Sequence, residues 1–156
     1  MSNQIVLNRA AGDATIYDVV APADLKNGHI VALGVRNADG TYAAAAPAAI
    51  TSLGMVMVLA VPLSYDADKS QNEYVIATGE VVRAYVPYVG MQVSIPVANI
   101  TATAPVADGA FVIPDAGETK PECVAALGGT EAVAYIVDDV YSEFGVSMAK
   151  IRCIKA

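Results

Sequence analysis

One histidine, His29, and two cysteines, Cys123 and Cys153, are the chain's whole supply of imidazole and thiol groups. Nucleophilic catalysis through a Ser–His or Cys–His pair needs a histidine oriented by a third group. His29 instead stands in an apolar run, His29–Leu33, directly after the turn pair Asn27-Gly28, and reads as a packed side chain. A structural zinc site needs four nitrogen or sulfur ligands at close spacing. The two cysteines lie apart without that spacing, so they read as reduced, packed thiols.

The carboxylates offer two further possibilities. Asp66–Glu73 alternates oxygen-bearing side chains like a calcium loop, but its sixth position is Gln71 and its twelfth is Ala77. Such a loop needs glycine at the first of these and a bidentate glutamate at the second, so this one reads as a solvated turn. Asp138-Asp139 could act as a carboxylate pair only if a bulge brought the two together, because adjacent strand residues point to opposite faces. Neither a dinucleotide-binding glycine pattern nor a phosphate-binding loop is present. Tyr74, Tyr85 and Tyr88 cluster in sequence and could line a sugar-binding face, although tyrosine is equally at home in strands and interfaces. The reading is of a non-enzymatic protein with no cofactor and no metal.

Composition agrees with an interaction role. The 156 residues are 55% hydrophobic and 16% charged, with a formal net charge of −7. An acidic chain lacks the basic stripe that phosphate binding requires, which argues against nucleic acid. A charged fraction below the usual quarter or so suggests that part of the surface is covered by a partner or by other copies. The acids are concentrated: Asp108, Asp115, Glu118, Glu122, Glu131, Asp138, Asp139 and Glu143 face only Lys120 between Pro105 and Ala149. The start, MSNQIVLNRA, lacks the pattern of a signal peptide, and Leu53–Leu63 is too short to span a membrane. The expectation is a soluble chain made in the cytoplasm, with no membrane partner.

These residues must be positioned by short strands with tight entries. The stretch NGHIVALG, Asn27–Gly34, sets the theme: a turn pair, an apolar run and a closing glycine. His29, Val31 and Leu33 share one face and Ile30 and Ala32 the other, so both faces read as buried. Further strands are expected at Ile5–Leu7, Ala14–Val20, Leu53–Leu63, Gly90–Val97 and Ala110–Ile113. Asn37–Gly40 is a hairpin-type turn, Tyr42–Ile50 an extended arm or loop, and Ser64–Glu73 an exposed loop. Tyr74–Ala77 and Glu80–Val86 read as a hairpin about Thr78-Gly79. Ala132–Tyr141 and Val146–Lys155 read as a long terminal hairpin, with Ala149, Ile151 and Cys153 alternating against Lys150 and Arg152. Ala21–Lys26 is expected to form one helical turn and Thr119–Leu127 the best helix. The fold class is mainly β: a compact barrel or sandwich-like domain with one or two short helices, single over residues 1–156. Residues 98–105 have a linker-like texture and are the candidate lobe boundary.

The opening Gly12–Gly34, GDATIYDVVAPADLKNGHIVALG, and the closing Ala132–Ala156, AVAYIVDDVYSEFGVSMAKIRCIKA, together resemble the head-decoration, or capsid cement, proteins of tailed bacteriophages. The resemblance covers roughly a third of the chain; Tyr42–Glu73 has no counterpart in it. It implies a structural virion protein on the outside of the capsid, bridging copies of the major capsid protein, often as a homotrimer. No functional residue transfers one by one. From the residues themselves, the candidate contact is Ile5, Val6 and Leu7, an apolar triplet that can act as an arm or edge strand against the capsid or a neighbouring subunit, or can equally pair inside its own domain beside the terminal hairpin. The competing reading is a β-rich ligand- or carbohydrate-binding module on a virion or cell surface.

Overall fold

The computed structural model describes residues 15–59 and 75–156, together with the backbone of residues 6–9. Two β-structures share one wall. Strands β2 (Ile16–Val20), β3 (Ile30–Arg36), β4 (Tyr42–Ala45), β5 (Met55–Val58) and β6 (Val81–Tyr85) close a barrel in the order β2-β4-β3-β5-β6. The others form a seven-stranded sheet: β1 (Val6–Arg9), β7 (Gln92–Pro96), β8 (Thr101–Ala102), β9 (Phe111–Ile113), β10 (Glu122–Val124), β11 (Ala134–Glu143) and β12 (Val146–Lys155). Its order is β1-β7-β12-β11-β9-β10-β8.

The wall is β3 with β5. Their antiparallel ladder sets Ile30 opposite Met57 and Ala32 opposite Met55. Alternation then divides the side chains between two cores. Val31, Val56 and Val58 fill the barrel with Val19, Leu25, Ile76, Val82 and Ala84. Ile30, Met55, Met57 and Leu59 turn outward against Val93, Ile95, Tyr135, Val137, Ala149 and Ile151 of the sheet. The expectation that both faces of His29–Leu33 are buried therefore holds for its first residues, while the end of β3 emerges into solvent.

Gly28 makes the close approach possible. Its φ is +91°, and a Cβ added there would lie 2.5 Å from Ile95 Cδ1. Main-chain bonds pin the seam on both sides: Ile30 N–H donates to Thr119 O (2.7 Å), Ala132 N–H to Ile50 O (2.9 Å), and Gly117 N–H to Pro47 O (2.7 Å). Asn99, buried beside them, donates its side-chain amide to Asn27 O at 2.9 Å.

Several expectations need correction. Thr119–Leu127 is not helical: Glu122–Val124 is β10, lying between β8 and β9, and these neighbours satisfy its main chain on both edges. Local helix signals lose to a slot that needs a strand. Ala21–Lys26 is an irregular turn whose Leu25 bridges Ile76. That bridge also removes the expected hairpin about Thr78-Gly79, since β6 pairs instead with β2 and β5. Tyr42–Ala45 of the supposed arm is β4, in the barrel. Residues 98–105, the candidate lobe boundary, hold the last part of a 3-10 turn, Val97–Asn99, and the two-residue strand β8 at one end of the sheet. That 3-10 turn is the only helical segment among the described residues. Ser64–Glu73 lies outside them.

Gly28→Ala is expected to lower unfolding stability by about 3 kcal/mol or more, through overpacking and an unfavourable φ together. Gly79→Ala shares a positive φ (+86°) but meets nothing within 4 Å, so it should lose about 1 kcal/mol. Urea unfolding of both variants checks this; equal losses would contradict the close-approach argument.

Candidate functional site

The histidine, both cysteines and the Asp138 and Glu131 carboxylates are each held in a structural contact. His29, 8% exposed, enters β3 with its Nδ1 3.2 Å from Thr119 Oγ1. Its amide donates to Lys26 O and its carbonyl accepts from Val58 N–H. Burial, with Lys120 and Lys26 nearby, pushes its pKa down to about 4. The ring is thus a neutral wedge at the seam, as its apolar setting in the sequence suggested.

Both cysteines are free and buried, as expected. Cys153 Sγ lies 3.3 Å from Lys155 O, and burial pushes its thiol up to about 11. Burial also raises Cys123, whose Sγ lies 3.7 Å from Pro105 O. Thiols shifted this way are poor nucleophiles.

A bulge does fall at the acid pair. Val137 pairs with Ile151 and Asp139 with Lys150, leaving Asp138 as the extra residue. Asp138 takes a two-pronged bond from Arg152, Nε to Oδ2 at 2.9 Å and Nη2 to Oδ1 at 3.0 Å. Arg152, helped by Gln92, holds the Asp138 carboxyl below its ordinary range. Asp139 is exposed, so the two carboxylates do not act as one centre. Among the described residues no group of three or more His, Cys, Asp or Glu converges as a metal site would need.

Of the tyrosines, Tyr85 and Tyr88 pack half-buried against the core shared by barrel and sheet, and Tyr74 lies outside the described residues. Val6 and Leu7 belong to β1, which pairs antiparallel with β7 at the edge of the sheet, Val6 opposite Ser94 and Leu7 opposite Val93. Ile5 lies outside the described residues.

Sequence reasoning missed two features. Glu131, 2% exposed, accepts the amides of Gly128 (2.5 Å) and Gly129 (2.9 Å), while Lys155 Nζ reaches Gly129 O at 3.0 Å. Its own amide and those of the two glycines hold the Glu131 carboxyl below its usual range. Gly128-Gly129, just past the stretch expected to be helical, supplies bare amides for a carboxylate. The second is Phe144, which with Gly145 forms the turn closing β11 and β12 and stands 88% exposed at φ +49°. An aromatic residue at a positive φ is uncommon, since Asn, Asp or Gly serve that position more easily.

No protein-family model matches the chain, and no curated protein matches it in sequence.

The depressed His29 pKa has a pH signature. The unfolded ring takes up a proton near pH 6.5 while the folded one does not until about pH 4. Falling pH therefore favours the unfolded state across that window, by about 3 kcal/mol in total, and the loss is complete below it. The wild type should lose about 2 kcal/mol between pH 6.5 and 4.5, and His29→Gln should stay nearly flat there. Parallel profiles from urea unfolding at each pH would contradict this.

Proposed function

We propose that the protein is a non-enzymatic structural component of a tailed-phage virion, made in the host cytoplasm and added to the capsid exterior. There it bridges neighbouring major capsid subunits, as a homotrimer, and opposes their separation because its binding favours the assembled shell. The observation that carries this reading is the allocation of side chains. Histidine, thiols and the Asp138 and Glu131 carboxylates are tied into the body, while large apolar side chains, above all Val35, Leu53 and Phe144, are turned to solvent. A surface of that kind is suited to contact rather than turnover.

The resemblance at the two ends supports the same reading. The described part of the opening stretch, Thr15–Gly34, runs through β2 into the seam, and Ala132–Ala156 holds the long hairpin at the centre of the sheet. We assign Ile5, Val6 and Leu7 to the capsid contact. Among the described residues β1 pairs with β7 alone, and the proposed contact adds a strand along its other main-chain edge.

Purified protein mixed with undecorated expanded heads of the encoding phage tests the proposal by electron cryomicroscopy and by heat release of DNA or shell subunits. The expected result is density at regular outer positions, continuous with the shell near β1, and heads that survive to higher temperature. Bare heads with unchanged heat stability, at protein in large excess, would overturn it.

A further inference from the structure

The chain's one Asn-Gly pair, Asn27-Gly28, lies where the barrel meets the sheet. The peptide unit between the two residues is bonded at both ends. Gly28 N–H donates to Val58 O in the barrel at 2.9 Å. The Asn27 carbonyl accepts the Asn99 side-chain amide from the sheet side, also at 2.9 Å. Asn27 is 0% exposed, and Gly28 stands so near Ile95 that an added Cβ would meet Ile95 Cδ1 at 2.5 Å.

This pair has a chemistry that needs neither cofactor nor enzyme. In a flexible chain glycine neither shields its own nitrogen nor restricts the backbone around it. Hydroxide removes the Gly28 amide proton, and the nitrogen attacks the side-chain carbonyl carbon of Asn27, Cγ. A bond forms between them, the bond from Cγ to the side-chain nitrogen breaks, and ammonia leaves with a proton from water. Water then opens the cyclic imide at one of its two carbonyls. One opening leaves an aspartate at position 27. The other leaves an isoaspartate, in which the main chain runs through the former side chain. Nothing is oxidised or reduced.

The closed fold withholds each requirement. Val58 O occupies the attacking nitrogen, Asn99 fixes the carbonyl of the same peptide unit, and burial keeps water and hydroxide from the Asn27 side chain. Turning that unit toward Cγ breaks both bonds, and those bonds join barrel to sheet. The reaction therefore waits on an opening of the seam. Closing again afterwards is obstructed. Both products put a carboxylate where the native chain buries a neutral amide. The isoaspartate also adds a carbon to the main chain directly before Gly28, where Ile95 leaves no room.

We propose that Asn27 is a deamidation site gated by the seam: the closed chain keeps its amide, and the opened chain is converted and does not close again. Opening thereby becomes a one-way event, made irreversible by a covalent change in the open state. The inference rests on the seam geometry and is independent of the proposed capsid role.

The test incubates the full chain at mildly alkaline pH, without urea and at several urea concentrations through the unfolding transition. A free peptide of the sequence Lys26–Arg36 runs beside it. Mass spectrometry of the digested chain reads the amide-to-acid mass gain at Asn27, and electron-transfer fragmentation separates isoaspartate from aspartate. Conversion in the native chain is expected to be at least about a hundredfold slower than in the peptide, because a core site opens only near the free energy of global unfolding. It should climb in step with the unfolded fraction as urea rises. Removing the urea after partial conversion then sorts the chains by size exclusion. Unconverted Asn27 is expected in the compact fraction, and both products in the fraction that stays expanded or aggregates. Native conversion at the peptide's rate, or a rate indifferent to urea, would overturn the gate. Converted chains present in the compact fraction in the same share as in the whole sample would overturn the one-way step.

Discussion

Everything in this molecule depends on how closely the β3 entry approaches the seven-stranded sheet. Gly28 has no side chain where Ile95 needs the space, and that absence lets the barrel wall lie flat on the sheet. Once it does, β5 and the first residues of β3 are buried on both faces, and Ile30, Met55 and Met57 add to the same core as Val93, Ile95 and Ile151. A larger shared core buries more apolar surface than either β-structure would have alone, where a five-stranded barrel of this length is marginal. Much of the polar cost of the seam is met by the bonds of Asn99, Thr119, Ala132 and Gly117 with the barrel side, while Asn99 Oδ1 is buried without a hydrogen-bond partner among the described residues.

The same seam explains where the chemistry-bearing residues went. His29 stands at the joint as a neutral ring against Thr119, and Glu131 ties the loop before β11 to the chain end through Gly129 and Lys155. Cys123 and Cys153 fill the core of the sheet side. What the molecule presents outward is a long hairpin, an edge strand and exposed apolar side chains such as Val35, Leu53 and Phe144. Those are features of contact, and the proposed capsid role draws on them.

Much of this was legible because periodicity reports burial directly. The alternation of Val146–Lys155, the two-faced run at His29–Leu33 and the buried run around Met55–Val58 each marked a strand that the structure contains. What failed were signals read locally and decided elsewhere. Pro121, Glu122 and Gly128-Gly129 imitate helix punctuation, yet β8 and β9 impose a strand between them. Thr78-Gly79 does make a turn, with Glu80 N–H bonded to Ala77 O, but the strand beyond it finds β2 and β5 rather than its neighbour. The bulge at Asp138 and the amide cradle of Glu131 depend on register and backbone direction, which residue type does not encode. Phe144-Gly145 was readable as a turn by its glycine, but the exposure of the aromatic ring depends on the left-handed conformation of Phe144 itself.

If the shared wall makes barrel and sheet one cooperative unit, native-state amide hydrogen exchange under increasing denaturant will show it most directly. Amides of Val56 and Val82 in the barrel, and of Val93 and Ile151 in the sheet, should converge on one opening free energy equal to that of global unfolding. Barrel amides that exchange through a lower-energy opening while the sheet stays protected would mean that the two structures merely touch, and the account built on the seam would be wrong.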